Sequence, residues 1–62
     1  MNINKVKQAK TADEARQYAI DWQAWASESS LSWMEAVEWS SEFRLLANKF
    51  DLVDEFKENG II

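Results

Sequence analysis

Residues 31–50 read LSWMEAVEWSSEFRLLANKF, and the fold is decided there. Ser32-Trp33-Met34-Glu35 is a capping box: a serine hydroxyl accepts from the amide three residues on, where a glutamate stands. Leu31 before the cap and Ala36 after it make a weak hydrophobic staple. Ala36, Trp39, Phe43, Leu46, Ala47 and Phe50 then recur in helical steps. The pattern predicts a helix from Trp33 to about Lys49 with that stripe turned to a core. Glu35, Glu38, Glu42 and Lys49 cover the opposite side. Trp33, Val37 and Leu45 fall outside the stripe and are candidates for a second contact surface.

Upstream, Thr11-Ala12-Asp13-Glu14 is a second capping box, in which Glu14 is expected to reach back to the Thr11 amide. Asp13 and Glu14 also suit the positive end of the helix dipole. A helix is expected from about Ala12, with Ala15, Tyr18, Ala19, Trp22, Trp25 and Ala26 on one face. Ile20 lies off that face, so it is exposed or meets another segment. Ser27-Glu28-Ser29-Ser30 ends the periodicity and reads as the loop. Downstream, Asp51 is expected to cap a short third helix from Leu52 to about Glu58. Asn59-Gly60 stops it, and Ile61 folds back on Phe56.

Residues 1–10 (MNINKVKQAK) hold Ile3 and Val6 but no sustained period, and read as a flexible or partly helical arm. The single helical domain is then residues 11–62. The predicted fold is all-α: a helical hairpin plus a short third helix, a small three-helix bundle completed by dimerisation. Its expected core is Ala15, Tyr18, Ala19, Trp22, Ala26, Ala36, Trp39, Phe43, Leu46, Ala47, Phe50, Leu52 and Phe56.

Composition excludes much chemistry. The 62 residues carry 7 basic and 11 acidic side chains, a net charge of −4, with no Cys, His or Pro and a single Gly. Disulfides, the common zinc sites and nucleophiles activated by histidine are absent. Only carboxylates remain as metal ligands, and Asp51-Leu52-Val53-Asp54-Glu55 lacks the glycine and spacing of a calcium loop. No cofactor is expected. No apolar run suits a membrane span, and residues 1–10 hold no apolar stretch of signal-peptide length. The lack of Cys fits a reducing compartment, and the expected location is the cytoplasm.

Charge is uneven. The arm carries Lys5, Lys7 and Lys10, while residues 11–62 carry four bases against all eleven acids, a charge of −7. An acidic body disfavours nucleic acid as a direct ligand, because phosphate contacts dominate that affinity. A helix-turn-helix reading fails similarly, since the second helix offers mainly Glu35, Glu38 and Glu42 beside Arg44, Asn48 and Lys49. The acids along that helix, and Asp51, Asp54, Glu55 and Glu58 after it, read as a solvated face rather than as buried acid–base pairs.

Four tryptophans are the other notable feature. Buried indoles each hide about 150–250 Å², and a chain of about 60 residues buries only roughly 60% of its unfolded surface. Trp22 and Trp39 fit a core. Trp25 lies at the edge of its stripe and Trp33 lies off its own. No basic groove accompanies them for base stacking. Trp25, Trp33, Val37 and Leu45 are therefore the expected partner-binding residues.

Ala19-Ile20-Asp21-Trp22-Gln23, Leu31-Ser32-Trp33 and Glu55-Phe56-Lys57-Glu58-Asn59-Gly60-Ile61-Ile62 resemble small proteins encoded by phages and prophages of Gram-positive bacteria. The resemblance spans roughly residues 11–62, and Glu-Phe-Lys-Glu-Asn-Gly is its most specific part. It implies a phage accessory origin and assigns no site residues. The expected function is that of a non-enzymatic, self-associating interaction protein, whose partner is a second copy or a host protein. The alternative is an acidic, DNA-mimicking inhibitor of a host nucleic-acid-binding protein.

Overall fold

The computed structural model describes residues 1–62 and is all-α. Its helices are α1 (Ile3–Lys7), α2 (Ala12–Glu28), α3 (Trp33–Phe50) and α4 (Val53–Glu58). Both capping threonine and serine do what their sequence predicts. Thr11 Oγ1 accepts from the Glu14 amide at 3.1 Å, and Ser32 Oγ accepts from the Glu35 amide at 3.2 Å. The return bond of the first box differs: Glu14 Oε2 accepts from the Lys10 amide at 3.0 Å, not from Thr11. The carboxylate thereby ties the α1–α2 connection to the start of α2.

α2 and α3 form the hairpin. Trp25 pairs with Trp39, and Trp22 with Trp39 and Phe43. Positions that fall along α2 meet positions that rise along α3, which is an antiparallel register. α2 runs two residues further than expected, through Ser27 and Glu28. Ser27 Oγ donates back to the Ala24 carbonyl at 2.8 Å, so a loop-favouring residue is satisfied inside the helix. Ser29 to Ser32 then make the turn.

α3 is the central element: α1, α2 and α4 all pack on it. Its face of Trp39, Phe43, Leu46 and Ala47 is buried. Ala15 and Ala19 of α2, also buried, let neighbouring backbones come close. Phe43 is the hub, with ring centroids 5.4 Å from Trp22, 6.0 Å from Trp39 and 6.2 Å from Phe56. Within this cluster the Trp22 indole nitrogen is buried without an acceptor, so Trp22 contributes packing and not a hydrogen bond. Of the expected core, Tyr18, Trp22 and Phe50 are only half-buried, packed against the rim of the cluster, and Ala26 and Ala36 are half-buried outside it.

Of the two readings of the N-terminal arm, flexible or partly helical, the structure takes the second and packs the segment on the bundle. Asn2 Oδ1 accepts from the Asn4 amide at 2.9 Å and starts α1, and Val6 and Ala9 are buried in the core. A helix of five residues is too short to persist by itself. It exists because Val6 and Ala9 dock it on the α3 side of the bundle, so the folded unit includes residues that the sequence assigns to an arm.

Asp51 is the other departure. It closes α3 instead of capping α4: its backbone is left-handed (φ 58, ψ 46), and the Leu52 amide donates to the Ala47 carbonyl at 2.8 Å. That is the six-to-one bond of a Schellman stop, with aspartate where glycine usually sits. α4 starts at Val53 with no side-chain cap. Its own end follows the expectation: Gly60 (φ 73) turns the chain, the Ile61 amide donates to the Phe56 carbonyl at 2.8 Å, and Ile61 is buried. A left-handed conformation costs a non-glycine residue about 1 kcal/mol. Asp51→Gly is therefore expected to stabilise the chain by about 0.5–1 kcal/mol, raising Tm by roughly 3–6 °C in a thermal unfolding scan. A fall in Tm would show that the Asp51 side chain contributes more than its strain costs.

Candidate interaction surface

Successive residues of a helix turn by about 100°. On α3 the buried Trp39, Phe43, Leu46 and Ala47 span an arc of about 100°, and Trp33, Met34, Val37 and Leu45 an arc of about 120° centred roughly 160° away. That second arc is uncovered: Trp33 is 80% exposed, Met34 76%, Leu45 63% and Val37 44%. A helix apolar on two opposite sides is the sequence of a helix covered on both. Here α1, α2 and α4 cover one side only.

Three of the four residues expected to bind a partner thus share one surface: Trp33, Val37 and Leu45. Trp25 does not join them. Its ring lies 5.9 Å from Trp39 and is half-buried at the edge of the core cluster, on the other side of α3. Met34 belongs to the surface and was legible, since it neighbours Trp33 and lies one turn from Val37.

The face has relief. Trp33 and Met34 project at its N-terminal end, while Val37, Ser40, Ser41, Arg44, Leu45 and Asn48 line an open depression of about 510 Å³. Ser40 and Ser41 make the hollow because they carry the smallest side chains along it. Arg44 is its only charge and makes no ion pair within the chain. Its neighbours one turn away are Ser40, Ser41, Ala47 and Asn48, so the helix itself supplies no acid.

A second, smaller cleft of about 180 Å³ lies between α2 and α4, lined in part by Arg16, Ile20, Glu55, Phe56 and Ile61. Ile20, off the core stripe as expected, is 59% exposed there. Arg16 is engaged: Nε donates to Glu55 Oε2 at 2.8 Å and Nη1 to Asp13 Oδ1 at 3.0 Å. The hydrogen bond and charge of Glu55, and then those of Asp13, hold the guanidinium above its ordinary pKa. Gln23 Nε2 donates to the Asn59 carbonyl at 2.6 Å. These polar contacts clasp α4 to α2, and leave no free cation to hold an anionic ligand.

The acids do not converge. No group of three carboxylates is placed to hold a metal ion. No helix is long and apolar enough to cross a membrane. Comparison of the chain with known proteins finds no matching family model, no matching curated protein and no matching solved structure.

Proposed function

We propose that this chain is a non-enzymatic interaction protein that self-associates through the outward face of α3. The observation that carries the reading is Trp33, a large apolar side chain held 80% exposed beside Met34, Val37 and Leu45. Contiguous exposed apolar patches of this kind mark contact sites, and tryptophan is enriched among the residues that dominate binding energy. The likeness of Ala19–Gln23, Leu31–Trp33 and Glu55–Ile62 to small phage and prophage proteins supports an accessory role for such a phage, exercised in the host cytoplasm.

The alternative, an acidic mimic of DNA, has less support. Asp13 and Glu55 are engaged by Arg16, and Glu14 by the Lys10 amide. Salt separates the two readings. Binding of a basic host protein by an acidic face weakens steeply as ionic strength rises, whereas apolar self-association persists at about 0.5 M salt.

Trp33→Ala tests the surface directly. The variant is expected to dimerise with a Kd about tenfold or more above that of the wild-type chain across a concentration series, with its far-UV circular dichroism unchanged. Loss of helicity would make Trp33 a core residue, and an unchanged Kd would remove this face from the contact.

A further inference from the structure

Resting on the self-association reading, we infer a specific geometry: two copies pack α3 against α3 antiparallel about a two-fold axis at the height of residue 39 on the outward face, with Trp33 of each copy lying on Arg44 of the other. The face is self-complementary only in this sense. Its projection, Trp33 and Met34, lies at one end, and its hollow lies toward the other. An isologous two-fold contact needs each feature to meet its complement on the same surface of the partner. Antiparallel packing brings each projection into the opposite hollow, twice. Parallel packing sets projection on projection and Arg44 on Arg44.

The register follows from matching height and side. With the axis at the height of residue 39, Trp33 stands within one residue's rise of Arg44 of the second copy, on the same flank of the seam. Met34 stands opposite Leu45 on the other flank. Val37 faces Ser41, whose small side chain permits an interhelical distance near the low end of about 8–10 Å. The two Arg44 side chains are then separated by roughly 14 Å along the axis, at 1.5 Å per residue. Each guanidinium, lacking an acid in its own chain, gains an indole face, the preferred aromatic partner of a cation.

Size sets the strength. The face is small: four exposed apolar side chains on one helix fall well short of the roughly 20–30 residues a side of a standard interface. The dimer is therefore weak, with a Kd in the range of about 1–100 µM, and depends on its few large contacts.

The experiment combines charge removal with cross-linking. Arg44→Gln is expected to raise the dimer Kd about tenfold or more, as is Trp33→Ala. Because the two residues touch, the double variant is expected to be little weaker than the weaker single one. The chain has no native cysteine, so single cysteines report geometry cleanly. An equimolar mixture of Val37→Cys and Ser41→Cys is expected to form the mixed disulfide under mild oxidation, since facing Cα atoms fall within the roughly 7 Å a disulfide spans. Asn48→Cys is expected to form no disulfide with itself, its two copies lying about 25 Å apart along the axis. Self-linking of Asn48→Cys overturns the antiparallel geometry, as does an Arg44→Gln dimer of wild-type strength. If those results arise while Trp33→Ala still dissociates the dimer, self-association stands and only this geometry falls. A wild-type chain that stays monomeric overturns both.

Discussion

Phe43→Ala is expected to lose about 3–5 kcal/mol of folding stability. Phe43 has no exposed surface and is the ring through which Trp22, Trp39 and Phe56 are joined. Truncation removes the transfer free energy of the ring and leaves a cavity between three helices. The surrounding side chains cannot fill it, because Trp22 and Trp39 are fixed by their own packing. Domains of this length have a total stability of roughly 3–9 kcal/mol, at 0.05–0.15 kcal/mol per residue. The variant should therefore be unfolded at room temperature, or unfold in urea at a midpoint lowered by about a third or more. Both chains must be compared at one concentration, since self-association adds to apparent stability. A loss below about 1.5 kcal/mol would mean that the aromatic cluster is not the centre of the core.

Val6→Asp is expected to cost about 2–4 kcal/mol and to release α1. Val6 is wholly enclosed and Ala9 nearly so. A carboxylate at that position cannot be buried without a partner, and the nearest charged residues of the same segment, Lys5 and Lys7, point to solvent. The chain avoids the charge by undocking α1, which then melts because five residues cannot sustain a helix alone. Amide hydrogen exchange should show protection lost across residues 3–9 first, with α2 and α3 retained. A variant within about 0.5 kcal/mol of wild type would mean that residues 1–10 are the independent arm their composition suggests.

These two sites mark what the sequence made legible and what it hid. The Phe43 environment follows from helical spacing alone: the stripe of Trp39, Phe43, Leu46 and Ala47 is long enough for its period to be plain, and its caps fix where it begins. α1 escapes the same reading because its signal is short. Ile3, Val6 and Ala9 do recur every third residue behind Asn2, a good cap, but one turn of pattern does not separate a helix from chance. Its stability comes from tertiary contact with α3, which no local window contains. Asp51 conceals its role for a related reason. An aspartate between two apolar helices suits the start of the second by propensity, yet the tighter demand was a left-handed residue to close the first, and with Gly60 at the other turn no glycine was left for this one.

The candidate surface divides in the same way. Trp33, Val37 and Leu45 were visible because they fall on the wrong side of a stripe that is otherwise complete. Trp25 sat at the edge of its stripe, where spacing cannot distinguish rim from core, and contact with Trp39 drew it inward. The hollow at Ser40 and Ser41 needs the three-dimensional face to be seen: in sequence these are two serines, and only beside Trp33 and Met34 do they become a recess.

On the self-association reading, a second copy covers the outward side of α3 that α1, α2 and α4 leave bare. Sedimentation equilibrium of the wild-type chain from about 1 to 300 µM decides this. The weight-average mass is expected to climb with concentration from the 7.2 kDa of one chain toward twice that value, reversibly and without larger species. A mass that stays at 7.2 kDa across the whole range would contradict it.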